Sequence, residues 1–397
     1  MLQLKLLLNK IKENYWQIIL LIMLLIQNKI LLNFLSVEDY GLYIFNLSIG
    51  GLICLIFPIG IGSYLRKSLL KEKTDAISKY ITIGTFFLLI SIIVFVSTYA
   101  IFQEKILIFY FIFYMSSLFN YYDIVLLTYD KVNLSRFFLF FQSVTFVLSI
   151  LLFPKMHFDN YLILFSLISL LRVLFGWIFI KFYLINNFNF KWTRLNKKDK
   201  KYIFKISLSD YLNSIVSHLD SIFIGYMSST SLTNFQLHKI IPNAIKSNVK
   251  LFFIKDENKL LKGAKGEYFL KFIKLTRDSI YLIALLFVFS IISTVIYIDY
   301  FLNTEIKTSL VLTIIFSFTI VFKILNTFLV NHNIFLENAA FYLRFNFFNK
   351  TGYLVAIFVT SFYFDLTSVV LIILINDIII FSTFLTRIYV QSRKINS

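Results

Sequence analysis

The sequence predicts an all-α fold: a polytopic membrane protein of about twelve transmembrane helices in two six-helix lobes, related by a pseudo-two-fold axis along the membrane normal. Three observations carry this. Twelve apolar stretches fill nearly the whole chain of 397 residues, and one membrane span needs roughly 20 mostly apolar residues. The composition is 58% hydrophobic with only 3 Pro, whereas soluble domains are about half apolar. The basic residues are sorted between alternate loops. No loop could hold a folded domain, so an extramembrane catalytic domain has nowhere to sit. Such chains are carriers or channels more often than enzymes.

In chain order the first six spans fall at about 13–33, 41–64, 80–102, 106–128, 135–153 and 160–182. The last six fall at about 203–226, 232–253, 278–298, 308–330, 346–364 and 366–387. The first is not read as a cleaved signal peptide, because it has no small-residue cleavage site and similar spans follow. The second holds Gly41, Gly50, Gly51, Gly60 and Gly62, five of the eleven glycines, and Pro58. Small residues let helices approach closely and proline bends them. A flexing helix at a portal and plain tight packing are both open readings. In the fourth span Tyr114, Tyr121 and Tyr122 suit sugar stacking, but with 24 Tyr in the chain a membrane-interface belt is the default. The eighth is the weakest, with His238, Lys239, Pro242, Lys246 and Lys250. It reads as a surface amphipathic helix or as a span lining a polar interior. Parity favours the span, since its removal would turn Arg387, Arg393 and Lys394 outward.

The formal net charge of +18 raises the question of nucleic acid, and its distribution answers against it. With the N-terminus inside, the outer loops near 34–40, 103–105, 154–159, 227–231, 299–307 and 365 carry only Lys105, Lys155 and Lys307. Against these stand Glu38, Asp39, Glu104, Asp159, Asp299, Glu305 and Asp365. The inner segments carry nearly all other basic residues, including Arg66, Lys67, Lys71, Lys73 and the runs from Lys191 to Lys201 and from Lys255 to Lys274. This is a positive-inside pattern with both termini cytoplasmic. The 191–201 run is a topology signal with attraction for anionic lipid. It divides the chain into a lobe at 1–190, a basic linker at 191–202 and a lobe at 203–397. Each half opens with a span, a short outer turn, a second span and a basic inner loop. Residues 35–43 occupy the place that 227–235 occupy in the second half, an offset of 192. Two parallel lobes rocking against each other are a known route to alternating access.

Residues 28–67 carry a resemblance. The Leu35-Ser36 end of the first span, the turn Asp39-Tyr40-Gly41-x-Tyr43, the glycine-rich second span and Arg66 resemble the opening hairpin of a known group. That group is the polysaccharide-export (O-antigen flippase) branch of the multidrug/oligosaccharidyl-lipid/polysaccharide (MOP) flippase superfamily. Leu219 to Tyr226 is similar to its seventh span, and the turn 129–133 leading to Arg136 is similar to the entry of its fifth. With the layout, the resemblance covers essentially the whole chain. Thr233, where a match to Gly41 would need glycine, departs from the internal repeat. The resemblance implies a multi-pass protein of the bacterial inner membrane that moves undecaprenyl-pyrophosphate-linked oligosaccharide. It also implies membrane lipids and other polysaccharide-assembly membrane proteins as partners, and no cofactor beyond a coupling proton or sodium ion.

Ionisable side chains inside spans are costly and face a cavity or a partner. Lys29, Arg172, Lys239 and Lys323 form a set of four cations for a pyrophosphate head group, lysine as a point charge and arginine as a fork. The competing reading is snorkelling to the cytoplasmic interface, for which Lys29 and Arg172 sit too deep. Asp220, Asp377 and Asp123 are candidates for ion coupling, since a buried carboxylate changes charge in the working range. A fixed ion pair is the alternative for Asp377, and an interfacial position for Asp123. His218 and Asp220 point about 200° apart on a helix, so they do not share a proton directly. Asp210 lies about 15 Å along the axis from Asp220. No metal or nucleophile motif is present, and Cys54 reads as core. An O-antigen polymerase would need a large periplasmic loop, which is absent. A drug/cation antiporter of the same superfamily would want an anionic cavity.

Overall fold

The computed structural model describes residues 15–55, 65, 68, 69, 75–129, 131–184, 197–261, 268–302, 306–335 and 339–396. Described residues are helical or in short connections, in keeping with long apolar runs that satisfy every backbone group internally. The helices are α1 (Tyr15–Phe34), α2 (Val37–Cys54), α3 (Asp75–Phe102), α4 (Ile106–Leu118), α5 (Tyr122–Thr128), α6 (Val132–Leu152) and α7 (Phe158–Phe179). They continue with α8 (Lys197–Met227), α9 (Ser229–Leu261), α10 (Tyr268–Val295), α11 (Leu310–Phe335), α12 (Ala339–Tyr363) and α13 (Leu366–Asn396). Wide π-type turns prolong α7 over Ile180–Leu184 and α10 over Ile296–Leu302.

Each of the twelve expected spans has its helix, with α4 and α5 together making the fourth. The stretches 75–102, 133–152, 158–182, 269–302 and 366–390 are long and apolar enough to cross a membrane by length and composition alone. Their outer faces are apolar and bare: Ile93 and Ile101 on α3 are 68% and 74% exposed, and Tyr281 on α10 is 80% exposed. Water would not tolerate such faces and hydrocarbon does. This is a polytopic all-α membrane protein. Arg66, Lys67, Lys71, Lys73, Pro58, Gly60, Gly62 and the first half of the basic linker lie outside the described residues, and the linker's last residues already belong to α8.

The chain divides into two compact units, residues 1–222 and 223–397, with the division inside α8. In the first unit α1 packs on α6, α2 on α4, α3 on α4, α4 on α7 and α6 on α7. In the second unit four of the corresponding pairings recur, α9 on α11, α10 on α11, α11 on α13 and α12 on α13, while α9 also packs on α10. Phe223 of α8 meets Phe358 of α12 edge to face, the counterpart of α1 on α6. The internal repeat inferred from loop order is thus a repeat of helix pairings.

The turn that opens each half is built alike. Ser36 Oγ accepts the Asp39 N–H at 3.0 Å and donates to Asp39 Oδ2 at 2.9 Å, capping α2. Ser228 Oγ accepts the Ser231 N–H at 2.9 Å and donates to Ser231 Oγ at 2.8 Å, capping α9. A side-chain oxygen here satisfies an orphan amide of the first helical turn. Behind the caps, Tyr43 and Phe235 are both buried. Thr233 stands where glycine is absent, fully buried, with its hydroxyl turned back to the Ser229 carbonyl at 3.1 Å.

The fourth span differs from the continuous helix expected over 106–128. It breaks at 119–121. The carbonyl of Leu118 accepts the Tyr80 hydroxyl, and the carbonyl of Phe119 accepts Trp177 Nε1 at 2.7 Å. Partners on α3 and α7 replace the missing helix bonds, which is what permits irregular backbone at membrane depth. Gly176 makes room: a methyl there would stand inside the ring of Tyr122. Leu65, Ala76, Ile77, Tyr122, Val125 and Val173 close the core around the break.

Candidate functional site

In the first unit α7 points Arg172 at this break. Arg172 is 7% exposed, and its Nη2 donates to Asn120 Oδ1 at 2.6 Å. Its guanidinium carbon lies 5.9 Å from the Tyr122 ring centre. Asp123 accepts the Ser135 hydroxyl at 2.9 Å and lies within electrostatic reach of both Arg172 and Arg136. Sequence reasoning set Arg172 among the substrate cations and Asp123 among the coupling acids. The fold makes them neighbours that answer each other's charge. Arg172 Nε has no hydrogen-bond partner among the described residues, so part of the fork remains unused.

Lys29 is half-buried on α1. The residue before it, Asn28, is buried and accepts the Tyr40 hydroxyl at 2.9 Å. On α8, Asp220 is 6% exposed and the next residue, Ser221, is 3% exposed. His218, two residues earlier, lays its ring against Gly51 of α2, so close that a methyl at Gly51 would overlap it. Asp210 lies where side chains are outside the described residues. Cys54 is half-buried, its thiol turned to the Phe113 carbonyl at 4.0 Å.

The second unit gathers the other candidates. Lys246 of α9, Lys323 of α11 and Lys350 of α12 all act electrostatically on Asp377 of α13. Residues on four helices thus place three lysines within electrostatic range of one carboxylate. Amides line the same region: Asn326 Nδ2 donates to the Asp377 carbonyl at 3.0 Å, and Asn349 Nδ2 to Asn376 Oδ1 at 2.8 Å. Lys323 is exposed, while Lys246 and Lys350 are half-buried. Lys246 Nζ also reaches Asn243 Oδ1 at 3.4 Å. Lys239 is engaged differently, with Nζ 4.5 Å above the centre of the Phe235 ring, a cation–π contact one turn back on α9. The sequence reading named Lys323 and Asp377 and passed over Lys350. An ionisable residue about one turn inside a span start is the signal that could have found it.

Near Asp377, basic side chains thus outnumber this one acidic group. Lysine ammonium groups and asparagine amides are the donors a phosphate oxygen needs in place of its hydration.

No family model matches the chain, and no curated protein does. Solved structures do match, over nearly its whole length. An inward-facing multidrug-resistance MATE transporter of the MOP superfamily is similar over 94% of this chain and 95% of its own, with TM-score 0.64 and 13% identity. The Vibrio cholerae MATE transporter VcmN in its bent form matches over 98% of this chain and 97% of its own, with TM-score 0.59 and 14% identity. A MOP superfamily transporter from Pyrococcus furiosus, described by a reversed binding-pocket polarity that suggests a different function, matches over 96% of both chains with TM-score 0.54 and 10% identity. The fold is that of the MATE transporters of the MOP superfamily.

Proposed function

We propose that this chain is a membrane transporter, not an enzyme, and specifically a flippase for undecaprenyl-pyrophosphate-linked oligosaccharide working by alternating access in a bacterial inner membrane with both termini cytoplasmic. The observation that carries the reading is the excess of lysine over acid near Asp377, with Lys246, Lys323 and Lys350 within electrostatic range of it. Its charge sign suits a pyrophosphate and opposes an organic cation. The resemblance of residues 28–67 supports the same branch, and the reversed pocket polarity described for the Pyrococcus furiosus relative supports reading charge sign as the discriminator. Lys29 and Arg172 remain proposed substrate contacts. Asp220 is the proposed coupling residue, with His218 packed on Gly51.

The runner-up, a drug/cation antiporter, shares the fold, and the lysine cluster argues against it. One experiment separates the two. The full chain in nanodiscs is titrated with undecaprenyl pyrophosphate and, separately, with ethidium, reading thermal stabilisation. Undecaprenyl pyrophosphate should bind. Each of Lys246→Ala, Lys323→Ala and Lys350→Ala should weaken that binding about tenfold, as loss of one charge-assisted contact does. In proteoliposomes with an imposed proton or sodium gradient, Asp220→Asn should abolish the gradient's effect while His218→Gln keeps it. Tight ethidium binding, strengthened by the lysine changes, would establish the antiporter instead.

A further inference from the structure

We propose that His238 is a proton-operated latch that fastens the entry of α11 to α9 while neutral and releases it when protonated. His238 is fully buried on α9. Both its ring nitrogens are in use. Nδ1 lies 2.8 Å from the Asn234 carbonyl oxygen, which can only accept, so Nδ1 carries the hydrogen. Nε2 lies 3.0 Å from the Ser309 amide, which can only donate, so Nε2 is bare. The two partners together define one tautomer of one charge state.

The Ser309 amide matters because Ser309 begins α11. Its carbonyl accepts the Thr313 N–H at 3.0 Å and its hydroxyl the Leu312 N–H at 3.4 Å. The residue before it is clamped from the other side. Asp299, in the wide turn that prolongs α10, accepts the Thr308 N–H at 2.9 Å and the Thr308 hydroxyl at 2.7 Å. Two adjacent amides, 308 and 309, are therefore held by side chains from two different helices. Behind them Phe235 of α9 stacks edge to face on Phe316 of α11, with ring centres 5.4 Å apart.

Protonation reverses the first clamp. A hydrogen on Nε2 would face the hydrogen of the Ser309 amide, donor against donor, and the acceptor for that amide would be gone. Asp299 is the charged group acting on the ring. Lys307 is exposed in the same segment, and Lys239 on α9 is turned to Phe235. Glu305 lies outside the described residues. The imidazolium would draw on Asp299, the same carboxylate that holds Thr308, so both clamps loosen together. The 306–309 segment, on the side that the charge distribution assigns to the outside, then parts from α9. This goes beyond the substrate reading and does not depend on it.

Hydrogen–deuterium exchange of the full chain in nanodiscs tests the latch, at about pH 7.5 and about pH 5, where histidine changes charge. Rates are corrected for the intrinsic pH dependence of amide exchange. In the wild type, protection of the amides at 308 and 309 should fall about tenfold at the lower pH, the value of one lost hydrogen bond, while the middle of α11 stays protected. In His238→Gln, which can accept through its amide oxygen but does not titrate, protection should be equal at the two values. In His238→Ala it should be low at both. Equal protection at both pH values in the wild type overturns the proposal. So does a pH-dependent loss that persists in His238→Gln, which would assign the response to Asp299.

Discussion

Gly51 and His218 meet with no room to spare, and neither residue announced the other in the sequence. The glycines of the second span read as close packing or as flexibility, and the structure assigns at least Gly51 to close packing against one ring. Gly51→Ala should displace that ring and destabilise the protein by about 1–3 kcal/mol, the usual cost of overpacking. A thermal melt in detergent measures it, and adding His218→Ala should restore most of the loss. If the double variant is no more stable than Gly51→Ala alone, the contact is not what the glycine serves. Intramembrane charge was likewise visible as a set of costly residues, but not its grouping. Arg172 was legible as deep and cationic. That Asn120 and Asp123 face it depends on a helix break no local pattern signals. Lys350 was not singled out in the sequence, and only the fold of α9, α11, α12 and α13 brings it, with Lys246 and Lys323, within electrostatic range of Asp377.

The helices themselves were written plainly, because apolar runs about one bilayer long leave little choice. The outer turns were also legible: the Ser36 and Ser228 caps stand 192 residues apart, the offset at which the two halves align. Ser36→Ala and Ser228→Ala should each cost about 1 kcal/mol, the value of an N-cap, and the two losses should add because each cap lies in its own unit. Chemical denaturation of single and double variants checks this, and a marked departure from additivity would mean the caps are coupled. The break at 119–121 was illegible for a physical reason. The stretch from Ile106 to Thr128 has no glycine or proline, and its irregular carbonyls are satisfied by Tyr80 and Trp177, residues about 40 positions before and 60 after. Local sequence cannot show a partner at that distance.

Across the molecule, the two six-span halves share several helix pairings without repeating their residues. Layout carries over because each half solves the same packing problem, while charge is free to diverge. The first unit brings Arg172 and Arg136 within electrostatic range of Asp123, and the second brings three lysines within range of Asp377. The sorted loop charges predict that reporter fusions at Ser397 and within 191–201 both report cytoplasm. A periplasmic signal at either site would break the parity that makes α9 a span. The proposed function makes the cargo's head group an anion. The most direct measurement is flipping in proteoliposomes, with undecaprenyl-pyrophosphate-linked oligosaccharide loaded in one leaflet and its appearance in the other read by a membrane-impermeant lectin. The account predicts protein-dependent flipping that Lys323→Glu abolishes, with ethidium left unmoved by either protein. Ethidium transport by the wild type, with no movement of the lipid-linked sugar, would contradict it.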